Sequence, residues 1–505
     1  MKENGQEKKS LIKKSDIKTI ALLGLLGLIT ALIIERQFGV EEFIGSFLVA
    51  VLLLSLFYRD ILRYKPEFFG KFSRVVLLGL LVVCTMGASW VTNYAAIALS
   101  RGLDLGLHET ASYAMPIAAG AMLVTLLFDF HAAIVFSFIV SLLAGLWQAE
   151  AAVAAYAFIG SVVGSFSVIR CKRRSAILKG GLYVFGANIF TVITMMLLSG
   201  DFLTLAAPIA LAMTLVSAVG VVAIVSLTLP LFETVFKVST DISLLELLDL
   251  EQPLMKQLMI NAPGTYHHSI ILGNLVEAVA EHVGVNPLFA RVCAYYHDIG
   301  KIKMPEYFIE NQLTGISKHE KITPHMSSMI LVSHVKEGVE LARQYKLPEP
   351  VIDVIKEHHG TTLITYFYEK AKGMPGEHEL SEAEYRYPGP KPQTRVSAIV
   401  MIADAVEAAS RVLTDPTPSR IAALVDKIIN HIFLAGQLDE CSLTLKDIYE
   451  IRKRFTYILT GILHKRIDYP GFDFSGKQAH TDEDHDKQPS EESKVQQAAG
   501  GEGLS

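Results

Sequence analysis

The chain carries five imidazoles and two carboxylates at positions that could converge: His268, the dyad His297-Asp298, His334, the doublet His358-His359, and Asp404. A lone His in an apolar stretch is more often a core residue than a ligand, so the argument rests on the set. Buried together without metal, these groups would cost too much, because buried polar groups need partners and buried charges need pairing. Mixed His and carboxylate donors without a thiolate suit Fe, Mn or Zn rather than a Cys-type structural zinc site. Seven donors exceed what one ion takes while leaving a place for water, so two ions sharing a bridging carboxylate is the economical reading. Two ions roughly 3.5 to 4 Å apart can polarise a phosphoryl oxygen, acidify a water and stabilise a leaving oxygen. The chemistry expected is two-metal hydrolysis.

The elements that must hold these side chains are helices. His268 lies on a predicted helix with Leu272, Leu275 and Val279 at helical spacing, so its face points inward. The neighbouring His267 leaves the choice of donor open by one residue, with this spacing favouring His268. His297-Asp298 closes a helix beginning near Pro287, with Gly300 expected to turn the backbone. His334 follows Ile330 by four, His358-His359 ends a helix terminated by Gly360, and Asp404 follows Val400 by four. His319 and His325 lie near His334 as alternative donors. Lys301, just after the dyad, either neutralises a substrate phosphate or is a solvated helix-end lysine.

Composition sets this polar half behind an apolar one. Of 505 residues 51% are hydrophobic, while charge is concentrated at the start and beyond Phe232. Apolar runs predict helices over 17–34, 43–57, 75–99, 113–128, 132–147, 151–169, 176–198 and 202–229, about eight crossings within a transmembrane region of 17–236. A span needs roughly 20 apolar residues, so the second, fourth and fifth runs are short. Lys and Arg accumulate on the cytoplasmic side, and Lys8, Lys9, Lys13, Lys14 and Lys18 place the segment 1–16 inside. Eight crossings then put Arg170-Cys171-Lys172-Arg173-Arg174 and everything after the last span inside as well. The first run lacks a small-residue cleavage site and reads as an uncleaved anchor. Asp129, His131 and Glu150 fall near run ends, which disfavours a transporter. Four scattered cysteines exclude a disulfide framework.

Pro230 marks the predicted exit of the last span, and a linker helix is expected within 237–256, with Leu244, Leu245 and Leu248 on one apolar face. Residues 257–469 read as an all-helical domain interrupted by a Pro- and Gly-rich loop at 373–393. The segment 470–505 has almost no apolar anchors and is expected to be disordered; His480 and His485 within it read as chance polar composition.

The residues at the expected metal centre, together with Asn261-Ala262-Pro263-Gly264-Thr265-Tyr266-His267-His268-Ser269, His358-His359-Gly360-Thr361-Thr362, Tyr387-Pro388-Gly389-Pro390-Lys391-Pro392-Gln393 and Ile402-Ala403-Asp404-Ala405-Val406-Glu407-Ala408-Ala409-Ser410-Arg411, resemble the HD phosphohydrolase superfamily. More narrowly, they resemble the seven-transmembrane HD family of bacterial cyclic-di-AMP phosphodiesterases. The resemblance covers about 43–465 and implies an all-α protein, a multi-pass transmembrane bundle followed by a cytoplasmic HD domain in the bacterial inner membrane. It implies hydrolysis of cyclic di-AMP to pApA with two divalent ions, Mn or Fe. One ion would take His268, His297 and Asp404, the other His334, His358 and His359, with Asp298 bridging; the catalytic residues expected are Asp298 and Lys301. The lipid bilayer is an expected partner, a homodimer fits the pattern, and no nucleic-acid polymer is expected. The sequence departs from the family at one place: only about 35–42 separates the first two runs, where members usually carry a large extracellular domain. Rival readings are an HD hydrolase of another nucleotide such as cyclic di-GMP, whose GYP element is missing after His358-His359, and a non-catalytic nucleotide-binding membrane sensor.

Overall fold

The computed structural model describes residues 3–34, 39–64, 72–102, 108–169, 171–312, 317–374 and 380–463. The segment 470–505, and with it His480 and His485, lies outside them. Among the described residues the protein is all-α: a multi-pass transmembrane bundle followed by an all-helical domain, with one isolated antiparallel bridge, Leu363 to Arg386.

Each of the eight apolar runs becomes a helix or a broken one. In chain order they are α1 (Glu3–Ile34), α2 (Val40–Tyr64), α3 (Phe72–Gly102), a 3-10 turn (His108–Ala114) leading into α4 (Ala118–Leu127), α5 (Phe130–Gln148), α6 (Ala151–Ser167), α7 (Ser175–Ser199) and α8 (Ala206–Phe236). Seven spans among the described residues are long and apolar enough to cross a membrane, and the shorter α6 lies beside them. The outer surface exposes Leu178, Phe190, Leu198 and Leu227, an apolar exterior suited to lipid rather than water.

Three boundaries differ from expectation. The first helix begins at Glu3, well before the apolar run. The fourth run breaks at Met115-Pro116 because proline cannot donate to the helical ladder. The carbonyls of the broken stretch are satisfied from neighbouring helices, Tyr156 Oη donating to Tyr113 O at 2.7 Å and Ser217 Oγ to Met115 O at 2.9 Å, as a bilayer interior demands. The last span passes through Pro230 and ends at Phe236, where Lys237 takes a left-handed φ of 52°.

The linker expected as one helix is two. Helix α9 (Asp241–Leu247) starts from a Thr240 capping box, and α10 (Pro253–Asn261) follows a turn. Arg174, in the loop before α7, grips Glu246 of α9 through Nε at 2.8 Å and Nη2 at 3.0 Å. On its far side α9 meets the second domain, where Tyr296 Oη donates to Leu247 O at 2.9 Å.

The second domain is built from α11 (Pro263–Ala280), α12 (Pro287–Tyr296), α13 (Pro324–Gln344), α14 (Glu349–Glu357), α15 (Thr365–Lys372), α16 (Arg395–Ser410), α17 (Pro418–Leu434) and α18 (Leu445–Leu463). Pro263, Pro287, Pro324 and Pro418 open their helices, where a missing N–H removes nothing and the fixed φ is pre-organised. Side chains of Asn286, Thr323, Thr394 and Thr417 cap the first turns.

Candidate metal centre

Helix α12 delivers the dyad. Its apolar face, Ala290, Cys293 and Ala294, is fully buried, and the helix ends at Tyr296, so His297 stays helical while Asp298 turns off at φ −110°. The expectation that Gly300 serves to turn the backbone needs correction, since it adopts no left-handed φ. It is small because α13 presses against it: a Cβ there would lie 1.8 Å from His334 O. That approach sets the dyad against the helix bearing His334.

The seven expected donors come together in two groups that share Asp298: His268, His297, Asp298 and Asp404, and Asp298, His334, His358 and His359, one ligand atom from each lying within 4.8 Å of the others in its group. His268 Nε2 is 3.0 Å from Asp404 Oδ1, and His297 Nε2 is 3.2 Å from Asp298 Oδ2. On the other side His334 Nε2 and His358 Nε2 are 3.3 and 3.6 Å from Asp298 Oδ1. His267 is exposed and points elsewhere. His319 hydrogen-bonds Tyr307 O at 2.8 Å and His325 lies by Glu384 at 3.5 Å, both apart from the cluster.

Tautomers follow from the backbone. His297 Nδ1 and His358 Nδ1 lie 2.8 Å from Ala294 O and Ile355 O, and His334 Nδ1 meets Leu331 O. A carbonyl only accepts, so each Nδ1 carries a proton, and in the neutral imidazole each Nε2 presents a lone pair. His334 Nε2 and His358 Nε2 then face one another at 3.4 Å, a repulsive pair unless a cation joins them. Both Asp298 oxygens, His268 Nε2 and His297 Nε2 are buried without a hydrogen-bond partner. Lys301 Nζ lies 2.6 Å from Asp298 Oδ2, yet at an angle that leaves this oxygen unsatisfied. The donor set fits divalent cations on both sides of Asp298.

The charges are poised for this. Burial alone would raise the Asp298 carboxyl, but His297 and Lys301 hold it well below the usual carboxylate range. Asp404 is likewise lowered despite burial, chiefly by His268. Burial pushes His334 down to about 4 and lowers His359 as well, so both are neutral at pH 7. His268 behaves oppositely: burial disfavours its charge, but the carboxylates of Asp404 and Glu407 beside it raise it to about 10.

Sequence reasoning missed the groups behind the donors. Glu407 Oε2 lies 2.6 Å from His268 Nδ1, and its Oε1 accepts from Arg411 Nε at 2.8 Å, an outer carboxylate of the kind that orients a metal-binding imidazole. The signal was available, since Asp404, Glu407 and Arg411 share one helical face at spacings of three and four. Lys301 is neither solvated nor free: it lies largely covered between Asp298 and Glu310, 2.9 Å from Glu310 Oε1. The Tyr387 ring stacks on His359 at 4.2 Å. The centre opens on one side. Asp404 and His359, 17% and 21% exposed, border a cleft of about 830 Å³ between α16 and α17.

Two protein families match the chain: 7TM receptor with intracellular HD hydrolase over residues 41–240, and HD domain over 265–409. The Bacillus subtilis cyclic-di-AMP phosphodiesterase PgpH is 34% identical over 472 residues, 92% of this chain and 64% of that protein. Its Listeria monocytogenes namesake is 43% identical over 311 residues, 61% of this chain and 43% of that protein. The crystal structure of the L. monocytogenes PgpH HD domain in complex with cyclic-di-AMP is 47% identical, with a TM-score of 0.41, and covers 43% of this chain and 100% of that one. The chain therefore spans less than two-thirds of the length of these two curated relatives.

Proposed function

Since the chain belongs to the seven-transmembrane family with an intracellular HD hydrolase, we propose that it is a metal-dependent phosphodiesterase that hydrolyses cyclic di-AMP to pApA. The observation that carries this reading is the pair of donor groups joined by one buried carboxylate, Asp298. The substrate comes from its likeness to the curated cyclic-di-AMP phosphodiesterases, because nothing in the donor set distinguishes one base from another.

When bound, a pair of Mn or Fe ions supplies Lewis acidity toward a phosphoryl oxygen and acidifies a water for in-line attack. His268, His297 and Asp404 would hold one ion, His334, His358 and His359 the other, with Asp298 between. The protein's own residues set the rest. Backbone carbonyls fix the imidazole orientations of His297, His334 and His358. Glu407 fixes His268, and Lys301 balances the Asp298 and Glu310 carboxylates. The partly exposed edge at Asp404 and His359 admits the phosphodiester. The catalytic domain would span 257–469 on the cytoplasmic face of a bacterial inner membrane, with 17–236 embedded in the bilayer and 237–256 linking the two.

The test is turnover by the purified full chain, loaded with Mn or Fe, against cyclic di-AMP, cyclic di-GMP and pApA. Cyclic di-AMP should be cleaved fastest, with pApA the first product. Faster cleavage of cyclic di-GMP would overturn the substrate and leave the phosphodiesterase chemistry standing.

A further inference from the structure

Far from the metal centre, α7 and α8 border an apolar groove of about 570 Å³ on the outer surface of the bundle. Its floor is small. Gly181 and Ala218 are buried there, and a Cβ on Gly181 would lie 2.1 Å from Val222 Cγ2, so the two helices approach closely. Its walls are long and exposed, with Leu178 and Leu182 of α7 facing Leu215, Val219 and Leu227 of α8. Close backbones between long side chains leave a channel that a further chain of atoms fills. Leu215 and Leu227 lie about 18 Å apart along α8, close to the roughly 15 Å depth of one hydrocarbon leaflet. A single acyl chain matches that length.

On the side of the second domain the same two helix faces continue into a polar cavity of about 530 Å³. Arg174, helical in φ and ψ, lies four residues before Leu178, and Pro230 and Thr234 follow Leu227 by three and seven, so each helix keeps one stripe across the boundary. The far wall belongs to the second domain, with Arg343 in the last turn of α13 and Lys346 just beyond it. Three carboxylates line the cavity, and each already has a cation. Glu246 and Glu233 share Arg174, at 2.8 and 3.7 Å, and Glu349 meets Lys237 at 3.4 Å. Arg343 and Lys346 are exposed, and among the described residues their side chains make no hydrogen bond or ion pair. The Ser239 hydroxyl in the same cavity is buried and likewise lacks a partner. Two uncommitted cations and a spare hydroxyl suit an anion with several acceptor oxygens, and basic pockets beside spanning helices on the cytoplasmic face suit lipid phosphates.

We propose that groove and cavity form one site for an anionic phospholipid. An acyl chain lies between α7 and α8, the phosphate sits between Arg343 and Lys346, and Ser239 donates a hydrogen bond to it. A lipid bound in this way ties the end of α13, the helix that carries His334, to the membrane bundle. A free phosphate would meet the same cations and leave the groove unfilled. Such a site stands whichever nucleotide the metal centre cleaves.

The purified full chain in a neutral detergent, titrated with dioleoylphosphatidylglycerol, dioleoylphosphatidylcholine or inorganic phosphate and read by native mass spectrometry, tests this. Phosphatidylglycerol should form one tight adduct, bound about tenfold or more tightly than phosphatidylcholine. Arg343→Gln combined with Lys346→Gln should lower that preference about tenfold. Lys172→Gln combined with Arg173→Gln, exposed cations outside both cavities, should keep it. Ala223→Phe, which fills the groove from an exposed position, should weaken phosphatidylglycerol about tenfold and leave inorganic phosphate unaffected. Each variant should keep the helical circular dichroism of the wild type, so that a loss reports binding rather than folding. Equal affinity for the two lipids would overturn the site. So would a preference that survives the Arg343 and Lys346 changes, or one that falls as far with the Lys172 and Arg173 changes. Inorganic phosphate bound as tightly as phosphatidylglycerol, with no loss of either in Ala223→Phe, would assign the cavity to a free anion and overturn the lipid.

Discussion

In the membrane bundle Thr30, Thr85, Ser89, Thr125 and Ser137 each donate to the carbonyl four residues back on their own helix, at 2.6 to 2.9 Å. In the domain that follows, His268, His297 and Asp298 keep buried atoms without any hydrogen-bond partner, all turned toward one point. The bundle also leaves Asn188 Oδ1 and the hydroxyls of Ser141, Ser161 and Ser165 without partners, but these groups are neutral and scattered. An orphaned neutral hydroxyl costs far less than an orphaned carboxylate. The difference separates polarity that serves packing from polarity that awaits a ligand, and buried charge convergent on one point is the mark of the second kind.

The largest effect should come from removing the shared group. Asp298→Ala should lower turnover by about 10⁴-fold or more while the protein still inserts into membranes, because Asp298 lies outside every candidate span. Assays on membranes of cells expressing the variant check both halves, and retained turnover in metal-depleted Asp298→Ala protein would end the two-metal account. Next in size is the supporting carboxylate: Glu407→Gln should weaken metal affinity about 10- to 100-fold, read by titration with Mn. An unchanged affinity would reduce the contact between Glu407 and His268 to packing.

The pH dependence is smaller and has a definite sign. In the metal-free chain His268 keeps its proton up to about 10. The raised value stabilises that form fully below 6.5, and the contribution is lost as pH climbs through about 10. A metal needs the Nε2 lone pair and must expel that proton, so Mn affinity should rise about tenfold per unit between pH 7 and 9. Calorimetry in buffers of differing ionisation enthalpy should detect about one proton released per chain at pH 8; none released would contradict the His268 assignment. The smallest effect belongs to the bundle: Ser137→Ala, which removes only a self-directed hydrogen bond, should change thermal stability by less than about 1 kcal/mol and turnover by less than about twofold.

The two regions also differed in how readily they could be read from sequence. Eight apolar runs predicted the helices of the bundle because length and hydropathy are local properties. The break at Met115-Pro116 and the continuation of α8 through Pro230 were not predicted, because whether a proline interrupts a helix depends on which neighbours can satisfy the freed carbonyls. In the second domain the seven donors were legible as types at helical spacing, and a shared motif sorted them into two groups. Glu407 was legible too, at helical spacing from Asp404 and Arg411, whereas the place of Lys301 between Asp298 and Glu310 and the steric role of Gly300 emerged only once the neighbouring elements were set against α12. Such roles are defined by neighbours far away in the chain, which spacing along one helix does not reveal.

The central claim, that Asp298 joins two ions, is tested most directly by metal content. The purified full chain, saturated with Mn and freed of excess, should hold two ions by elemental analysis, and Asp298→Ala should lose both. His334→Ala should keep one, held by His268, His297 and Asp404. A wild-type chain holding a single ion, or an Asp298→Ala chain holding two, would contradict the account.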